Sequence, residues 1–180
     1  VPRFFEQEVV MRVMAVVLAS CAMSAAAQTP GWDAQASASL KQEPVTMLKN
    51  IDAGNFAAML QSADKDALIF DFDENNNPIR LQGSAAMKKF FDGMQQSMKQ
   101  QAMSFKSTLL KNDCFATAAQ GFCALEFDQS IVAGGKTMGP FKFRGTLVAR
   151  KTDAGWRWVH WHGSFREAPP AMPAAPPAKK

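Results

Sequence analysis

The sequence contains no tyrosine and only two histidines in 180 residues. No site in it has a phenolic hydroxyl, and imidazole chemistry rests on His160 and His162 alone. His160-x-His162 puts both rings on one strand face, but no cysteine or obvious third ligand accompanies them, so no metal or other cofactor is expected. Runs of like charge are also scarce. A net charge of +4 is spread over scattered residues, only Lys88-Lys89 and Lys179-Lys180 being adjacent, and this argues against nucleic acid as a partner. No apolar run reaches the roughly 20 residues that span a bilayer, so no transmembrane segment is expected in the mature chain. Nucleophile elbows and internal repeats are absent as well.

What is present is an ordinary globular composition, 47% hydrophobic and 20% charged, in a length that suits one domain. The N-terminus reads as an export address. Met11 opens a charged start, a short apolar run and a small-residue cleavage site at Ala25-x-Ala27, so residues 1–27 read as a signal peptide with the true start at Met11. The expected location is the periplasm or the exterior. Leu18-Ala19-Ser20-Cys21 also resembles a lipobox, the alternative being a lipoprotein anchored through Cys21. Either route leaves Cys114 and Cys123. In an oxidising compartment they can be bridged across a hairpin, or they can remain two reduced buried thiols.

Residues 28–39 are small and polar and read as a flexible leader. Residues 168–180, rich in proline and alanine, read as a disordered tail. The domain between them, 40–167, opens with helical spacing: Val45, Met47, Leu48 and Ile51, then a break at Asp52-Ala53-Gly54-Asn55, then Phe56, Met59 and Leu60. A short strand at 67–72 and a turn cluster at 73–78 follow. Ser84 is the expected cap of a helix whose stripe is Met87, Phe90, Phe91, Met94 and Met98. From Met103 the period changes to two, with strands at 122–132, 141–151 and 156–165 joined at Gly134-Gly135 and Asp153-Ala154-Gly155. Helices first and antiparallel strands after them make an α+β layered fold.

Alternation assigns the strand faces. Glu126, Asp128 and Ser130 share one side, as do Arg144, Thr146 and Val148. In the last strand Trp156, Trp158, His160, His162 and Ser164 lie together, with Val159, Trp161 and Phe165 opposite. Asp128, Arg144 and His162 are therefore the candidate catalytic group if the registers bring them together, with a carboxylate to orient an imidazole and an arginine to hold an anion. The plainer reading is an Asp–Arg ion pair and a histidine in the wall of a small pocket. Candidate ligand-binding residues are Phe70, Phe72, Phe90, Glu126, Asp128, Phe143, Arg144, Trp158, His160 and His162.

The helix, Ala53-Gly54-Asn55-Phe56, the strand, and the run from Thr146-Leu147-Val148 through Val159-His160-Trp161-His162 to Ser164 together resemble the nuclear transport factor 2-like superfamily. Its SnoaL-like branch and the association (hub) domain of calcium/calmodulin-dependent protein kinase II are the most similar. The resemblance implies a cone, in which a strongly curved antiparallel sheet wraps the N-terminal helices around a pocket, and a homodimer through the sheet surface. The tyrosines used by the ketosteroid isomerase and scytalone dehydratase branches have no counterpart here. Where the hub pocket carries arginines, this sequence reads Lys88, Asp128 and Leu147. Binding of a small apolar or amphipathic ligand, or of a protein partner, in the cone is thus expected ahead of catalysis. The alternatives are an isomerase or hydratase-type lyase using Asp128 and His162, and a hub-like oligomerisation module.

Overall fold

Residues 31–73 and 77–167 are described by a computed structural model; the signal peptide, the lipobox and the proline-rich tail lie outside these residues. Asp33 accepts the Ala36 N–H at 2.7 Å and starts α1 (Ala34–Leu40). Residues 34–39 of the stretch whose composition reads as a leader are therefore helical. Tertiary contacts hold it there: Ser37 Oγ accepts the Ala116 N–H at 2.9 Å, and Trp32 rests on Phe115 and Phe122. After α2 (Gln42–Asp52) the chain breaks at Gly54, φ 66°, a conformation that suits glycine. Asn55 then caps α3 (Phe56–Gln61) through the Ala58 N–H.

The strands are β1 (Ala63–Phe72), β2 (Pro78–Gln82), β3 (Met103–Ala116), β4 (Gln120–Ala133), β5 (Lys136–Thr152) and β6 (Gly155–Phe165). Between β2 and β3 runs α4 (Ser84–Gln100). Its cap position is Gly83 rather than Ser84, whose hydroxyl instead donates to the Lys65 carbonyl at 3.1 Å. The sheet is curved and unclosed, in the order β2-β1-β6-β5-β4-β3. Pairing is antiparallel except between β1 and β6, which run parallel. The β3 to β6 meander delivers its last strand to the free edge of the earlier β1–β2 hairpin, and the two directions there coincide.

One face of the sheet packs on the helices. Ile69, Leu125, Phe127, Leu147 and all three tryptophans of β6 form one buried cluster with Leu40, Met47, Phe56, Met59, Met87 and Met98. Each such large side chain contributes about 1.5–3 kcal/mol on burial. Simple alternation misplaces Trp156 and Trp158, which it sets beside the histidines. The register shows why: Val148 pairs with His160 but Ala149 pairs with Trp158, leaving Val159 as an extra residue. That bulge reverses the phase, so Trp156, Trp158 and Trp161 all face inward, while His162 is exposed on the other side.

Cys114 and Cys123 are direct cross-strand partners, their Cα atoms 4.0 Å apart, and they form a disulfide. It closes the tip of the β3–β4 hairpin one cross-strand pair away from Phe115 and Phe122, on which Trp32 rests. Replacing both cysteines with serine is expected to lower unfolding free energy by about 2–3 kcal/mol, the chain-entropy value for so short a loop, as read by urea denaturation. Unchanged stability would show that the bridge is not formed in the purified protein.

Candidate functional site

The outer face of the sheet, away from the helices, carries one row of residues across all six strands. Register aligns Arg80, Phe70, His162, Thr146, Ala124 and Asp113 in turn, and all six are exposed. The next row holds Ser164, Arg144, Glu126 and Lys111. Ala124 and Thr146 are small, so a hollow of about 430 Å³ opens over them, bounded by Lys111, Asp113, Glu126, Arg144, His162 and Ser164. On the other side of His162 lies a second recess, also about 430 Å³, bounded by Phe70, Asp71, Phe72, Pro78, Ile79, His160 and Gly163. His162 stands in the wall of both.

The aromatic side of the second recess is built by edge contacts, with the Phe70 ring 5.9 Å from His160 and 6.5 Å from His162. Between Phe70 and Phe72 on β1 stands Asp71, whose carboxyl turns to the core face and which the chemistry-bearing patterns of the sequence did not single out. Asp71 Oδ2 accepts the Trp161 indole N–H at 2.7 Å and Oδ1 accepts the Phe72 N–H at 2.9 Å. Two paired glycines make room for this arrangement. A Cβ on Gly145 would collide with the Trp161 ring, and one on Gly163 would lie 2.8 Å from Asp71 Oδ1. The legible signal was phase: Ala67 and Ile69 face the core, and Asp71 is the next residue on that face.

Burial pushes the Asp71 carboxyl above its ordinary value; the Trp161 and Phe72 hydrogen bonds and the nearby His162 pull it back only in part. A carboxyl whose folded pKa is raised holds its proton more readily in the native state. Its stabilising contribution is complete below the unfolded pKa and is lost as pH rises through the folded one. Asp71→Asn is therefore expected to be increasingly more stable than the parent as pH climbs out of the ordinary carboxylate range, with the two converging in acid. Urea titrations across that range check this, and a constant difference would place the Asp71 pKa at its ordinary value.

The remaining sequence candidates divide among three places. Phe70, Phe72, His160 and His162 meet in the aromatic recess, and Glu126, Arg144 and His162 in the polar one. Asp128 is not brought to His162: it shares the outer face, but Arg166 holds it at 2.5 Å and also reaches Glu126 at 3.4 Å. The Asp–Arg ion pair therefore exists with Arg166, the residue that follows β6, and not with Arg144, whose Nε donates to Ser164 Oγ at 3.1 Å. Phe143 stacks on Phe127 at 5.3 Å and meets Phe165 at 4.7 Å. Phe90 packs on Phe91 at 5.2 Å, and Phe91 on Phe56. Trp158 is buried on the inner face by the Val159 bulge, away from both recesses.

Comparison with known proteins agrees with this architecture. No curated protein matches the chain. Among solved structures it is similar to a nuclear transport factor 2-like protein with a cystatin-like fold from Novosphingobium aromaticivorans, with 14% identity over 74% of this chain and 84% of that one, and a TM-score of 0.60. It is similar also to the calcium/calmodulin-dependent protein kinase II hub of S. rosetta (20% identity, 72% and 95% covered, TM-score 0.56). A ketosteroid isomerase-like protein from Erwinia carotovora atroseptica is a third (11% identity, 75% and 99% covered, TM-score 0.56). These likenesses establish a shared fold. The model of the SnoaL-like domain matches residues 45–167, which is most of the chain, and the protein belongs to that family.

Proposed function

We propose that the protein is an exported SnoaL-like domain that binds a small apolar or amphipathic ligand on the outer face of its sheet, in the recess between β1, β2 and β6. The observation that carries this reading is the recess itself. Phe70, Phe72 and Pro78 supply apolar wall, while His160 and His162 supply polar groups that can orient a ligand. Sequence expectation placed the ligand inside the cone. Two of its aromatic candidates, Phe90 and Phe143, are instead engaged with other rings of the chain, and Phe70 and Phe72 turn up in the recess. Export is supported by the leader pattern and by the disulfide, which suits an oxidising compartment.

A second reading has a specific observation behind it. Asp71, a carboxyl with a raised pKa, lies within electrostatic reach of His162, and a carboxyl beside an imidazole is the equipment of general acid–base catalysis in an isomerase or hydratase-type lyase. Asp71 takes the part that the sequence assigned to Asp128, because Arg166 neutralises Asp128.

Native mass spectrometry of the full chain, expressed with its leader and purified after export, tests the main reading. The expected result is a chain beginning at Gln28 that carries a small-molecule mass, retained in Asp71→Asn and lost in Phe70→Ala. A bare protein, with no compound from an apolar library raising its Tm, would overturn ligand binding. Turnover of a bound compound that disappears in Asp71→Asn would favour the catalytic reading. The same spectrum reports a homodimer or a ring.

A further inference from the structure

The two hollows on the outer face are not independent. They share His162, whose cross-strand neighbours are Phe70 on one side and Thr146 on the other. A ligand that fills the aromatic recess and passes His162 arrives over Thr146 and beside Arg144. The charges along that path are distributed unequally. Lys111 is taken up by Glu126 at 3.0 Å, and Arg166 by Glu126 and Asp128. Glu126 is thus neutralised from both sides. Arg144 has no carboxylate partner among the described residues; Ser164 Oγ accepts from its Nε, and the two terminal nitrogens of this exposed side chain have no hydrogen-bond partner among the described residues. A planar fork held in this way is suited to a carboxylate or similar anion.

We infer that the ligand is an amphipathic acid, its apolar body lying along Phe70 and Phe72 and its anionic head held by Arg144, Thr146 and Ser164, with His162 at the junction. This rests on the binding reading given above and adds the chemical class and the direction of the ligand. The direction follows from charge. No lysine or arginine lines the aromatic recess, whereas Arg144 borders the other hollow. Asp113 is the remaining carboxylate of the polar hollow and lies two strands from Arg144, roughly 10 Å at ordinary strand spacing, where screening weakens repulsion. Arg80, the cation at the opposite end of the row, is stacked over the Phe70 ring and donates to Gln82, and it borders neither hollow.

Titration of the full exported chain with decanoate, and separately with decanol, followed by NMR below the micellar concentration, tests the assignment. Decanoate is expected to bind more tightly than decanol, and Arg144→Gln to weaken decanoate by about tenfold while leaving decanol unchanged. Phe70→Ala should weaken both. Arg144 is exposed, so its replacement does not threaten the fold. Equal decanoate affinity in the parent and Arg144→Gln would overturn the acidic head; if Phe70→Ala still weakened both probes, the binding reading would stand. Failure of both probes to bind would overturn the two together. Sedimentation with phosphatidylglycerol vesicles without binding of decanoate would replace the free acid by a membrane surface.

Discussion

Strand β6 is hydrogen-bonded on both sides, to β1 in parallel and to β5 in antiparallel register, and one unpaired residue within it, Val159, sets what each face presents. A strand without that bulge would send Trp156 and Trp158 to the same side as His160 and His162. Two large indoles would then lie in solvent, and the helices would lose their most voluminous partners. With the bulge, the three tryptophans join the buried cluster that α1 to α4 contribute to, and the histidines face outward. The core and the candidate site thus depend on a single irregularity.

The same strand explains why a carboxylate can be tolerated at a core-facing position. Burying Asp71 is costly unless its oxygens are satisfied, and both are: by the indole of Trp161 and by the Phe72 amide. Trp161 can lie where it does because Gly145, across the sheet, has no side chain. A volume constraint on one strand therefore becomes an electrostatic property of another. The result is a carboxyl with a raised pKa at the border between packed interior and open recess.

The two faces of the sheet have divided labour. The inner face holds the apolar cluster, with the disulfide at the tip of the β3–β4 hairpin and Trp32 anchoring the start of α1 nearby. The outer face carries the exposed row and its flanking charges, where groups are free to meet a ligand because they contribute little to packing. In this arrangement a change at Arg144 or Phe70 tests function with small effect on the core, whereas a change at Gly145 or Trp161 disturbs both.

Much of the fold was legible along the chain because its signals are local. The glycine break before Asn55, the methionine and phenylalanine stripe of α4, the period-two strands and the cysteine pair each depend on neighbours a few residues away. The family resemblance rested on the same segments. The site was legible only in part. Phe70, His160, His162 and Arg144 could be named by residue type, but their grouping required the order β2-β1-β6-β5-β4-β3, which places residues nearly a hundred positions apart side by side. Asp71 escaped because its environment is made by Trp161 and two glycines from other strands, and the partner of Asp128 escaped because Arg166 enters from beyond the last strand. Sequence alone determined which elements form, since backbone preference and apolar period act over short distances. Tertiary structure decided which side chains meet, since strand register and a one-residue bulge are set by the packing of the whole sheet.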